Sequence, residues 1–122
     1  MSVGSSEDSR RWSQMRSVVQ AFHDKHAFRE KGGEDLVYRV ALMTEELGEI
    51  SAAVTKGKGR EALAEECADL LILLIGTAIS ADFNLEEAFW GKMDELMDRS
   101  SRMVDGRIRV SRFDGVKAPG DG

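Results

Sequence analysis

Two short acidic runs hold the residue types in this 122-residue chain best suited to cation chemistry. Glu45-Glu46-Leu47-Gly48-Glu49 and Glu65-Glu66-Cys67-Ala68-Asp69 both follow the pattern Glu-Glu-x-x-acid. Each residue of a helix turns the chain by about 100°, so residues three apart project from one face. Glu46 and Glu49 therefore converge, as do Glu66 and Asp69. Gly57 and Gly59 punctuate a short turn between the runs, which predicts two antiparallel helices. Pairing across that turn sets Glu46 opposite Asp69 and Glu49 opposite Glu66. Four carboxylates at one level, beside Leu47, Ile50, Leu70 and Leu71, repel and take up protons unless a cation neutralises them. Oxygen-only ligation suits a hard ion, and Mg2+ keeps waters and shares its sphere with substrate phosphates. Solvated surface acids are the ordinary reading of one Glu-x-x-Glu; the doubled, mirror-placed set favours a metal site.

Four helices must position these residues. The first is expected from about Ser9 to Phe28, with Trp12, Met15, Val18, Val19 and Phe22 at helical spacing and Lys31-Gly32-Gly33 as its stop. The second begins near Glu34, carries Val37, Val40, Met43, Leu47, Ile50 and Val54, and ends at Lys56. The third runs from about Arg60 to Ala81. Asn84 reads as the N-cap of the fourth, with Glu86 and Glu87 in its first turn and an end near Arg102. The expected fold is all-α, an antiparallel four-helix bundle-like domain over residues 1–102, followed by a basic arm at 103–122. Within that arm Arg107 to Val110 alternates like a short strand, and Ala118 to Gly122 reads as a loose end.

The third helix is uncharged from Leu70 to Ala81, flanked by Asp69 and Asp82. That run is too short to cross about 30 Å of hydrocarbon, so protein must cover it on all sides. A homo-oligomer burying this helix at a subunit interface is the expectation, with a central helix of one bundle as the alternative.

Net charge is −5, unevenly spread. Residues 1–33 carry six basic and four acidic groups, 34–98 five and fifteen, and 99–122 six and three. An acidic middle disfavours nucleic acid and attracts a divalent cation. Cys67 is the single cysteine, which excludes an internal disulfide framework. No basic-then-apolar leader opens the chain, so the expected setting is cytoplasmic, with no membrane partner.

Glu-Glu-x-x-Glu followed after sixteen residues by Glu-x-x-Asp resembles the motif of the MazG-like all-α nucleoside triphosphate pyrophosphohydrolases. The resemblance spans about residues 34 to 100, including the apolar run after Asp69 and Lys92-Met93-Asp94. It implies a Mg2+-dependent enzyme, with Mn2+ as a substitute, that cleaves (d)NTP between the α- and β-phosphates to (d)NMP and pyrophosphate. Nucleotide-pool control or housecleaning would be its service, and a dimer or dimer of dimers its assembly. The implied metal ligands are Glu46, Glu49, Glu66 and Asp69. Glu45 matches the family's extra acid, which would orient or deprotonate the attacking water. Lys92 matches a phosphate-contacting base, and Arg99 and Arg102 add positive charge nearby in sequence or answer the helix macrodipole. Leu96 stands where relatives often have an asparagine or a basic residue, so base preference does not transfer.

The alternatives are a hydrolase of a modified nucleotide such as phosphoribosyl-ATP, or a non-catalytic helical interaction module. A carboxylate-bridged di-iron protein is weaker, because no Glu-x-x-His accompanies the acids. His23 and His26 read as ordinary surface or core histidines, and Cys67 as a small packed thiol. Lys56-Gly57-Lys58-Gly59-Arg60 lacks phosphate-loop spacing and reads as a glycine-capped turn. Trp12, Phe22 and Trp90 read as core residues first, with base stacking by one of them, or by Phe28, as the sharper possibility.

Overall fold

The structure, a computed structural model, describes residues 6–112. Four helices, α1 (Ser6–Lys25), α2 (Leu36–Thr55), α3 (Arg60–Ser80) and α4 (Leu85–Met97), precede two strands, β1 (Ser101–Val104) and β2 (Arg107–Val110). The fold is predominantly helical, as the periodicity predicts. It divides into two compact units, one spanning Ser6–Leu85 and the other holding residues 86–112.

In the first unit α1 and α2 both pack on α3. Asp35 caps α2 by accepting a hydrogen bond from the Tyr38 backbone N–H at 3.0 Å, one residue beyond the expected start at Glu34. The α2–α3 turn reverses at Gly57 (φ 61°) and Gly59 (φ 95°), where Lys58 N–H reaches back to Ala53 O at 3.0 Å. Phe83 N–H likewise closes on Ala78 O at 3.0 Å after α3, and the Arg16 guanidinium of α1 donates to Phe83 O at 2.9 Å.

The core is small: Val19, Ala53, Ile75 and Ala78 are its buried apolar residues. Its most fully buried large side chain is Arg39, 1% exposed. Arg39 donates through Nε to Thr77 Oγ1 at 3.2 Å, through Nη1 to Gly33 O at 3.1 Å and through Nη2 to Leu73 O at 3.0 Å. Beside it, buried His23 of α1 bonds Glu34 Oε1 through Nδ1 at 3.2 Å. Burial lowers the Arg39 pKa from its usual value, and the Glu34 charge partly restores it. Gly76 makes the room. A methyl there would stand 2.2 Å from Arg39 Nη2 and 2.7 Å from His23 Nε2.

The described residues do not cover α3 all round. Ile75, Gly76 and Ala78 are buried, whereas Leu71, Ile72 and Leu74 are exposed. No described helix is long and apolar enough to cross a membrane.

In the second unit α4 ends at Met97, not near Arg102, and the chain then forms an antiparallel hairpin. Asp105 (φ 49°) and Gly106 (φ 80°) form its two-residue turn, the type Asp-Gly favours, and pair Arg102 with Arg109 and Met103 with Ile108. The strand expected at Arg107 to Val110 is present; its partner at 101–104 was not foreseen. The loose end expected at Ala118 to Gly122 lies outside the described residues.

Gly76→Ala is expected to cost at least about 2 kcal/mol, because the methyl must displace a guanidinium held by three acceptors and a histidine ring bonded to Glu34. The melting temperature should fall by about 10 °C. Gly48→Ala, where the added methyl meets nothing within 4 Å, should be neutral or stabilising by up to about 1 kcal/mol. Thermal denaturation of the two variants beside wild type checks both.

Candidate functional site

The α2–α3 hairpin brings Glu46, Glu66 and Asp69 together, each offering an oxygen within 4.8 Å of the others. Glu46 and Glu66 are half-buried and Asp69 is exposed at the rim. Two oxygens that both touch Mg2+ at about 2.1 Å stand no more than about 4.2 Å apart, so a small side-chain adjustment closes this trio on one ion.

Electrostatics point the same way. Glu46 Oε1 is buried with no hydrogen-bond partner among the described residues. Three ionised carboxylates have no donor to offer one another, so a proton or a cation must sit between them. Below about pH 7 a proton on Glu46 takes that place in the metal-free protein. Sharing it with the Glu66 carboxyl, then burial, then the Asp69 charge raise the Glu46 pKa from 4.5 to about 7. A buried, partnerless oxygen in an all-oxygen donor set fits a hard divalent cation. Among the described residues no histidine or cysteine joins the group. His23 is buried and bonded to Glu34.

Glu49 and Glu45 are exposed on α2 and stand outside the trio. Of the four carboxylates expected at one level, Glu46, Glu66 and Asp69 are gathered, with Glu46 near both Glu66 and Asp69 of α3. Cys67 is exposed, not packed.

The basic candidates lie in the second unit, and two of them, Lys92 and Arg99, gather with Arg112 on one acid. Lys92 Nζ donates to Glu95 Oε2 at 3.2 Å, Arg112 to Glu95 Oε1 at 3.0 Å, and Arg99 bonds the same Oε1. These bonds, Arg112 first, pull the Glu95 pKa down to about 2. Arg102 is half-buried on β1, in register with Arg109.

Sequence reasoning missed Arg39 and Glu95. Arg39 had one available signal: it is the sole basic residue of α2, seven positions, or about two turns, before Glu46 on the same face. Glu95 had a weaker one, its i,i+4 spacing to Arg99.

The chain matches the MazG nucleotide pyrophosphohydrolase domain over residues 38–104, more than half its length, and belongs to that family. The match covers the carboxylate trio, the hairpin that builds it, and α4. Membership implies nucleotide pyrophosphohydrolase chemistry of a typically metal-dependent kind on a nucleotide triphosphate. No curated protein and no solved structure matches the chain.

The raised Glu46 pKa carries a sign. The folded metal-free protein holds a proton that the unfolded chain releases, so stability falls as pH rises from about 4.5 to about 7 and stays lower above. Melting curves in a chelator across that range should show the decline in wild type. Glu46→Gln, which cannot ionise, should remove this component and melt higher than wild type at pH 8.

Proposed function

We propose that the protein is a divalent-cation-dependent nucleoside triphosphate pyrophosphohydrolase that cuts between the α- and β-phosphates, giving a nucleoside monophosphate and pyrophosphate. The observation that carries this reading is the buried, partnerless Oε1 of Glu46, gathered with Glu66 and Asp69 inside a chain of the MazG family. Mg2+ is the proposed ion, with Mn2+ able to replace it, because the donors are all carboxylate oxygens.

A divalent cation bound there supplies charge neutralisation for the triphosphate and its leaving group and a lower pKa for water. The chain's own residues do the rest. Glu46, Glu66 and Asp69 hold and orient the cation, and Glu49, three residues beyond Glu46, joins as a fourth ligand from the same helix face. Glu45 orients the attacking water and accepts its proton. Lys92, Arg99 and Arg102 are the proposed phosphate contacts; with Arg112, the cations around Glu95 outnumber it and leave net positive charge for an anionic ligand. The exposed Leu71 and Leu74 of α3 favour a homo-oligomer, a dimer or a dimer of dimers, that covers them. Nucleotide-pool control is the proposed service.

Product analysis tests the reaction. With Mg2+ and a panel of ribo- and deoxyribonucleoside triphosphates, monophosphate and pyrophosphate are expected, and Glu66→Gln should lower turnover at least about 100-fold. Release of orthophosphate and a nucleoside diphosphate would place the cut at the wrong bond. Mg2+ is also expected to raise the melting temperature of wild type but not of Asp69→Asn.

A further inference from the structure

Glu95 of α4 is the meeting point of three cations. Its Oε1 accepts from Arg99 and, at 3.0 Å, from Arg112, and its Oε2 accepts from Lys92 at 3.2 Å. Lys92, Glu95 and Arg99 stand three and four residues apart on one helical face, and Arg99 N–H bonds Leu96 O at 3.2 Å, so the turn after α4 keeps that face going. Arg112 arrives from the far end of the hairpin, two residues beyond β2. Among the described residues Glu95 is the only acid that any of the three bonds.

Two balances at this point do not close. Charge is the first: three cations against one carboxylate leave +2. Donors are the second. A guanidinium and an ammonium each carry several N–H donors, and each cation here uses one bond on Glu95. The side chains of Lys92 and Arg112 are 58% and 70% exposed, so a ligand from solvent reaches them. Both arginines converge on a single oxygen, which is how guanidinium groups grip phosphate. A phosphate chain supplies what the site lacks: several oxygens in place of two, and a charge of about −2 on a terminal phosphate in place of one. The three bonds pull the Glu95 carboxyl pKa down to about 2, so near neutral pH a competing anion, and not a proton, is what frees the cations.

We propose that Lys92, Arg99 and Arg112 form a seat for a diphosphate unit, and that Glu95 is its resting occupant, a carboxylate the phosphates must displace. The inference rests on the proposed reaction for its ligand and deepens it. The β- and γ-phosphates of the substrate become the released pyrophosphate, so one seat meets the same unit before and after the cut. Glu95 then restrains phosphate binding instead of contributing to it, and its return to the cations favours release of pyrophosphate.

Calorimetric titration in chelator, with no divalent cation present, keeps the carboxylate trio out of the measurement. The probes are pyrophosphate and orthophosphate. The variants are Glu95→Gln and Glu95→Ala, beside Asp98→Asn, which alters an exposed acid three residues on that none of the three cations bonds. Melting curves check that each variant is folded. Pyrophosphate is expected to bind both Glu95 variants about tenfold more tightly than wild type, because one competing charge-assisted contact is gone. Asp98→Asn should change affinity by no more than about twofold, and adding Arg99→Gln to Glu95→Gln should abolish the gain. Equal, weaker or undetectable binding by the Glu95 variants would overturn the seat and leave Glu95 a solvated ion pair or a positioner of the cations. An equal gain in Asp98→Asn would overturn it too, by reducing the effect to overall charge. Orthophosphate binding the Glu95 variants as tightly as pyrophosphate would overturn the diphosphate assignment. None of these outcomes depends on turnover: the reaction fails separately if wild type with Mg2+ releases no pyrophosphate from a triphosphate, and a tenfold gain in the Glu95 variants would still assign the seat.

Discussion

The structure depends on one buried cation. Arg39 lies in the seam between α2 and α3, and its bonds to Leu73 O, Thr77 Oγ1 and Gly33 O fix the two helices and the turn before them in one register. A guanidinium taken out of water loses a large hydration free energy, recovered only where its donors all find acceptors in good geometry. That demand admits one alignment. A slide of α3 past α2 by a single turn would strand the donors. Gly76 completes the socket by having no side chain, and His23, its Nδ1 bonded to Glu34, closes in on the same glycine.

The carboxylate trio is the consequence of that register. Two turns along α2 from Arg39, Glu46 meets Glu66 and Asp69, with an oxygen of each within 4.8 Å of the others, an arrangement that costs stability while all three are ionised. The clamp and the trio are electrostatic opposites: a cation made comfortable by neutral carbonyls, and anions held together with nothing between them. Stability spent in the second place is drawn from the first. A proton on Glu46 offers partial relief, and a divalent ion offers more, because one ion can touch all three oxygens at once.

In the second unit the same physics runs with the sign reversed. Lys92, Arg99 and Arg112 converge on the single carboxylate of Glu95. These pairs are solvent-screened and contribute little to stability. Three cations meet one acid there, an excess of positive charge at that point of the unit. The hairpin supplies part of this arrangement, since its exit carries Arg112 back to α4.

Much of this was legible in the chain itself. Apolar periodicity and glycine punctuation determined four helices and their turns, because local propensity and burial agree along each segment. The doubled Glu-Glu-x-x-acid pattern determined which face carries the chemistry, since the helical period is a local property. The overlooked hairpin was also a local matter: Asp105-Gly106 is a strong turn signal that the alternating residues after it overshadowed. Tertiary structure alone decided which acids meet. Mirror pairing across the turn sets Glu46 opposite Asp69 and Glu49 opposite Glu66; the folded chain gathers Glu46 with both Glu66 and Asp69 and leaves Glu49 exposed, which depends on how the side chains of two helices pack and not on their spacing alone. The cluster on Glu95 divides the same way. Lys92 and Arg99 stand at helical spacing from it, a local property, whereas Arg112 reaches it from seventeen residues away, because the path of the hairpin and not the period of any helix brings the two together.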